Sequence, residues 1–358
     1  MRPLISILML LFLSACTDLG YYWHSVGGHW SIMNKRVDIE ELLSAQDTDQ
    51  KLRERLQLVL KVRQFSIDRL KLPDNGSYRS YAALDHPYAV QSLFAAPEFS
   101  TRLHSWCYPI VGCTSYRGYY DTQRLQNYVE KLHAQDFETY VSDVPAYSTL
   151  GWFDDPALSS FIYWTDYRLA GLIFHELTHQ RIYIDDDTVF NESLASAVQQ
   201  AGTRLWLVSE NRSIDIAAVD RWLAYRDEVI ELIETTREQL DDLYRLDIEV
   251  EMKREGKHAR FDLARKAHDQ IAARQGIEAG YKQWFASDLS NAKFGSIAAY
   301  NSHLPSFMRI LESHQFDFEA FFVYIEKLGQ LDKKARNLCL ERWSKTAAAK
   351  ATACAMPG

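Results

Sequence analysis

The spacing of apolar residues changes several times along the 358-residue chain, and each change marks a different kind of element. Leu4 to Leu13 is almost wholly apolar behind Met1-Arg2-Pro3, a stretch too short to cross a hydrocarbon core of roughly 30 Å. From Arg36 to Leu72 apolar residues recur at helical spacing in two runs, broken near Asp47-Thr48-Asp49, where short polar side chains suit an N-cap. Between Asn75 and Val144 the period gives way to short Tyr-, Val-, Ser- and Thr-rich runs punctuated by Gly, Pro and Asp. These predict strands of a small mixed sheet, with an amphipathic helix inserted from about Asp121 to His133. The helical period then returns. With Asp155 as N-cap and Pro156 at the first helical position, it predicts one helix before Thr165-Asp166 and a second after it, reaching about Ile182. Asn191 to Val208 continues as another helix.

Asp215 to Arg274 is highly charged, yet Val229, Leu232, Ile233, Leu240, Leu243 and Tyr244 keep helical spacing. The segment predicts a long charged helical hairpin, turning near Glu255-Gly256 and packed on the body rather than held out as a partner-binding arm. No internal repeat or Pro-rich linker divides the chain. The expected architecture is α+β and predominantly α-helical: a leader over 1–15, then one unit over 16–358. Within that unit lie N-terminal helices (16–74), a small sheet region (75–155), site-bearing helices (156–210), a C-terminal helical region (211–345) and an Ala/Lys-rich mobile tail (346–358).

A hydrophobic content of 47% with 25% charged residues is ordinary for a globular protein and excludes disorder. Forty Lys plus Arg against forty-eight Asp plus Glu leave a net charge of −8, with no basic surplus for a phosphate backbone. Nucleic acid is therefore not an expected partner. The five cysteines form an odd set.

Chemistry concentrates in Gly171-Leu-Ile-Phe-His175-Glu176-Leu-Thr-His179. On a helix, residues four apart lie one turn above each other, so both imidazoles can converge on one ion. Glu176 is rotated about 100° from His175. It lies beside the ion, where a general base takes a proton from a metal-bound water. A catalytic Zn²⁺ wants three protein ligands and an open position. Glu192, near the start of the next helix, can be presented if that helix folds back antiparallel. Asp185 competes, six residues beyond His179. A metzincin-like pattern would place its third ligand there, but that pattern needs a glycine at position 182 for a sharp turn, and Ile182 is ill suited to positive φ. Glu192 is preferred.

The N-terminus ends its apolar stretch on Leu13-Ser14-Ala15-Cys16, which resembles a bacterial lipoprotein lipobox, with Cys16 lipidated as the first mature residue. Stable anchoring needs more than one acyl chain, as such lipoproteins carry. Thr17, rather than Asp, after the lipidated position implies an outer-membrane address facing the periplasm. Removing Cys16 leaves four cysteines for an oxidising compartment. Cys107 and Cys113 could close a small loop; Cys339 and Cys354 either pair or stay free.

His175-Glu176-x-x-His179 followed by Asn191-Glu192-x-x-Ala195 resembles the gluzincin metallopeptidases. The lipobox, Cys107-Tyr-Pro-Ile-Val-Gly-Cys113, Tyr116-Arg-Gly-Tyr-Tyr-Asp121 and Ala146-Tyr-Ser-Thr-Leu-Gly-Trp-Phe-Asp154 resemble a family of bacterial lipoproteins described as zinc aminopeptidases. The resemblance implies a zincin-like fold, Zn²⁺ held by His175, His179 and Glu192, and Glu176 as the proton carrier in peptide hydrolysis. An oxyanion donor is expected among Tyr183, Tyr300 and His303. Zincins hold substrate on an exposed edge strand upstream of the metal helix. Tyr147 to Trp152 is nominated for that role, with Tyr147, Ser148 and Gly151 touching the peptide. Asp185, Asp186 and Asp187 could supply charge for a free α-ammonium. Exopeptidase and endopeptidase stay open, as does a non-catalytic zinc-binding scaffold of the envelope.

Overall fold

The computed structural model describes Tyr21, residues 26–108, 112–278, 280–345 and Cys354, with the backbone alone at residue 299. The leader, Cys16 and the tail other than Cys354 lie outside the described residues. No described helix is long and apolar enough to cross a membrane.

The described chain is predominantly helical with small mixed sheets. After helical residues 26–34 come β1 (Arg36–Asp38), α1 (Ile39–Ser44) and α2 (Gln50–Asp68). Asp38 and Asp49 cap α1 and α2 by accepting from Glu40 N–H and Leu52 N–H at 2.7 and 3.0 Å. The expected break at Asp47-Thr48-Asp49 is therefore where the helices part. The start at Arg36 is corrected: β1 pairs antiparallel with β2 (Ser80–Ala82), and β2 pairs in parallel with β8 (Ala157–Leu158).

That last pairing overturns the helix expected from Pro156. Tyr78 N–H and Thr149 N–H donate to Asp155, which is not an N-cap but a buried carboxyl. Residues 159–164 form turns that lead to α4.

A second sheet has the order β6-β3-β7, from β3 (Val90–Pro97), β6 (Arg117–Tyr119) and β7 (Phe137–Val144), all antiparallel. A ribbon of β4 (Trp106–Tyr108) and β5 (Gly112–Thr114) pairs Cys107 with Cys113, which form a disulfide. Between β6 and β7 lies α3 (Thr122–His133), capped by Asp121, which accepts from Arg124 N–H at 2.8 Å.

The main core is built around α4 (Asp166–Arg181) and α5 (Thr188–Ser209), the first burying Ile173, Phe174 and Leu177, the second Phe190, Leu194 and Val198. Glycines let these helices approach. A Cβ on Gly171 would lie 2.9 Å from Thr203 Oγ1, and one on Gly202 would lie 3.0 Å from Phe174 Cδ2.

The charged segment is a hairpin of α6 (Ser213–Arg245) and α7 (Val250–Gln275), so it turns at residues 246–249 rather than at Glu255-Gly256. Gly256 instead sits inside α7, where a Cβ would press on Leu243 at 3.0 Å. Tyr225, Val229 and Ile233 of α6 pack on Phe261 of α7. The hairpin is held to the body by buried Lys257, whose Nζ ion-pairs with Glu138 on β7 and donates to Glu98 O at 2.9 Å. Then follow α8 (Lys282–Ala286), α9 (Asn291–Asn301), α10 (Leu304–Ser313), α11 (Phe318–Gly329) and α12 (Lys333–Lys345). Cys339 on α12 is bonded to Cys354.

Candidate active site

His175, Glu176 and His179 all lie in the last three turns of α4, and the start of α5 returns beside them. The connection is short because Asn191 clamps it. Its Oδ1 accepts from Ile184 N–H and its Nδ2 donates to Ile184 O, both at 2.8 Å. Asp187 caps α5 and is buried against Arg336, at 2.6 Å from Nη2. Ser193 Oγ accepts from His303 N–H at 3.1 Å, fixing α10 to the same turn. These contacts orient the intervening residue, Glu192, toward α4.

Glu192 Oε2 lies 3.2 Å from His175 Nε2 and 3.6 Å from His179 Nε2. The candidate ligand atoms of the three residues lie within 4.8 Å of one another. His175 Nδ1 is 3.1 Å from Gln199 Oε1. Nδ1–H donates to that amide oxygen, so Nε2 is the nitrogen turned to Glu192: it donates there while protonated and presents its lone pair once that proton is given up. His179 Nδ1 is buried with no hydrogen-bond partner among the described residues. Two imidazoles and one carboxylate, each largely withdrawn from solvent, form a donor set that fits a divalent zinc ion with one position open. Asp185 is not part of the set.

Burial would push the Glu192 carboxyl up, but the charge of His179 and hydrogen bonds from both imidazoles outweigh it and hold the group at about 2. Glu176 behaves oppositely. Burial pushes its carboxyl up to about 7, with Glu192 and Asp155 adding to the rise against the pull of His175. Two neighbouring carboxyls are thus driven apart, one permanently ionised and one poised to exchange a proton near neutrality. Behind α4, Asp155 is also pushed up, to about 6, by burial. Its Oδ2 accepts from Gln180 Nε2 at 2.7 Å, which ties the strand entry to α4.

His175, Glu176, His179 and Glu192 face a cavity of about 510 Å³ between α4 and the β6-β3-β7 sheet. Gly118, Ser92 and Ser142 stand in one row across that sheet and line the cavity, and their small side chains leave room opposite the imidazoles. Tyr116, Tyr183 and Tyr300 line it as well. Burial and the nearby Glu192 raise all three phenols, Tyr183 to about 12, so each is a neutral O–H donor at ordinary pH. Of the three expected oxyanion donors, Tyr183 and Tyr300 are in place. His303 is not among the lining residues; it caps α10. Tyr116 and Gln199 were missed. Gln199 was open to inference, since it lies two helical turns beyond Glu192 on the same face.

The family model described as "Putative aminopeptidase" matches residues 20–340. The chain belongs to that aminopeptidase family. No curated protein and no solved structure gives a significant match.

Within this family member, the expected edge strand at Tyr147 to Trp152 is not formed. Leu150 and Gly151 have φ of 56° and 82°, and Trp152 N–H closes a turn on Thr149 O. Thr149 N–H is spent on Asp155 Oδ2 at 3.0 Å and Leu150 N–H on Ser148 Oγ at 3.1 Å. Tyr147 and Ser148 line the cavity through their positions before that turn; Gly151 is not among the lining residues. The acidic trio is also placed elsewhere. Asp187 is bound to Arg336, Asp186 accepts from Cys113 N–H, and none of the three lines the cavity.

Proposed function

We propose that this chain is a zinc-dependent aminopeptidase of zincin-like, gluzincin type, lipid-anchored through Cys16 in the bacterial cell envelope, at an outer membrane and facing the periplasm. The observation that carries the activity is the convergence of His175, His179 and Glu192 beside a separately buried Glu176. The leader sequence and the two cysteine pairs support the location.

His175, His179 and Glu192 would hold the ion, which when bound supplies Lewis-acid polarisation of the scissile carbonyl and a nucleophile at neutral pH. Gln199 keeps His175 in the tautomer that presents Nε2. Glu176, ionised, accepts the proton of the attacking water and then delivers it to the departing amine. The phenolic O–H groups of Tyr116, Tyr183 and Tyr300 are the donors available to the developing oxyanion.

The test compares peptide hydrolysis by the wild type and Glu176→Gln, with bound zinc measured in each. The expected result is zinc retained and a rate lowered by about 10²- to 10⁴-fold. Peptides with an acetylated N-terminus should be cleaved far more slowly than free ones; equal rates would make the enzyme an endopeptidase. A wild type inert toward a broad peptide library would leave a zinc-binding scaffold.

A further inference from the structure

We propose that the substrate cleft continues past the metal cluster into a carboxylate-binding subsite formed by Arg168 and Arg226, on the leaving-group side of the scissile bond. The proposal rests on the peptidase reading of the cluster. A second cavity, of about 560 Å³, shares the half-buried side chains of Leu172 and Gln199 with the first. It follows the same helix faces. On α4, residues 168, 172, 175 and 179 form one row; on α5, residues 192, 196, 199 and 203 form another. The two rows run side by side along the packed helix pair, the first cavity opening at their imidazole end and the second at their guanidinium end, with Leu172 and Gln199 common to both.

The electrostatics of that second cavity run against those of the molecule. The chain has a net charge of −8, yet the cavity is lined by two arginines and by no carboxylate. Arg168 is exposed, stacks on Trp164 at 4.3 Å, and makes no hydrogen bond or ion pair with a described residue. Arg226 is largely covered. Its Nη2 donates to Gln200 Oε1 at 2.9 Å and Asp227 Oδ1 at 2.8 Å, leaving Nη1 uncommitted among the described residues. A guanidinium pair over aromatic walls is suited to a planar carboxylate and repels an ammonium. A free N-terminus therefore belongs at the other end, and the leaving portion of the peptide enters this one. Gln199 stands at the junction: its Oε1 is turned to His175 Nδ1, and its Nε2 donates to no described residue.

The distance sets the ligand. Seven residues of α4 separate His175 from Arg168, a rise of about 10 Å. An extended peptide covers about 3.3 Å per residue, so the carboxylate sits about three residues beyond the scissile bond. It is the C-terminal carboxylate of a short peptide, or an acidic side chain at that position in a longer one.

The test uses the zinc-loaded full chain and peptides of two to eight residues with a free N-terminus and neutral side chains, each as C-terminal acid and as amide. A third set is amidated and carries one Glu at successive positions. Acid should exceed amide by about tenfold in kcat/KM at three to four residues, one charge-assisted hydrogen bond's worth, and the advantage should fade with length. Arg168→Glu should abolish or invert the acid-to-amide ratio. A Glu-bearing amide favoured about three residues beyond the bond supports the same subsite and assigns the side chain as its source. Equal kcat/KM for all three sets at every length overturns the subsite and leaves the peptidase reading standing. Binding of the same peptides, read by tryptophan fluorescence and by calorimetry, separates the two ideas. Arg168-dependent binding of acids without any hydrolysis keeps the subsite and defeats the peptidase. Equal affinity for acids and amides defeats the subsite whether or not turnover is seen.

Discussion

Replacing Asp155 by asparagine probes how the buried carboxyls behind the metal helix share their charge. Asp155 is 4% exposed and accepts from Thr149 N–H and Gln180 Nε2, contacts an asparagine oxygen can keep. Burial first, eased by those hydrogen bonds, raises its carboxyl from 3.8 to about 6. A group raised on folding adds nothing unfavourable while both states are protonated, below pH 3.8, and destabilises the fold as pH climbs through 6. The full difference corresponds to about 3 kcal/mol. Asp155→Asn removes it. Urea unfolding of the metal-free protein should therefore show the variant gaining on the wild type by about 3 kcal/mol between pH 4 and pH 8. The same change withdraws a negative neighbour from Glu176, whose carboxyl it helps to raise, so the acid limb of the peptidase pH profile should move to lower pH. A stability difference that is flat in pH, together with an unmoved acid limb, would refute the reasoning.

Two further substitutions test how the site is assembled. Glu192→Ala should abolish zinc binding and the accompanying rise in Tm, whereas Asp185→Ala should keep both; zinc stoichiometry after dialysis decides, and the opposite pattern would exchange the two residues. Arg336→Ala strands buried Asp187 at the start of α5, with Lys333, at 3.6 Å, its one remaining ion-pair partner among the described residues. It should cost about 3 kcal/mol in chemical denaturation and, because Asp187 anchors the turn that aims Glu192, lower zinc affinity as well.

The parts of this structure that were legible in the sequence are those with long, regular periods. The ends of α4 at Asp166 and Arg181 follow from Thr165-Asp166 and Ile182, and the metal trio follows from a four-residue spacing plus a returning helix. Most of the misreadings come from short-range signals overridden by partners elsewhere in the chain, and one from a segment that satisfies itself. Asp155-Pro156 looks like a helix start, yet Ala157 and Leu158 are taken by a two-residue parallel pairing to β2, too short to leave a period. Gly256 looks like a turn but is a point of close contact within α7, while the real turn, Leu246 to Glu249, contains no glycine. Tyr147 to Trp152 has strand-like composition, but its N–H groups are consumed locally. Tyr116 comes to the cavity only through sheet pairing far from α4, which no local pattern announces.

The nearness of the ligands in the chain also bears on how the site is made. The three candidate ligands, His175, His179 and Glu192, fall on two helices packed directly against each other. Closing so short a loop loses little chain entropy, since that loss grows only with the logarithm of loop length. The helical pair can therefore gather an ion before the distant sheet, the charged hairpin and α12 have docked. An ion taken up so early would also bind the partly folded chain, and so would stabilise the native state by less than its affinity for the finished site suggests. With a metal loaded at that stage, loading and folding would overlap, and the sheet would close over a centre already occupied.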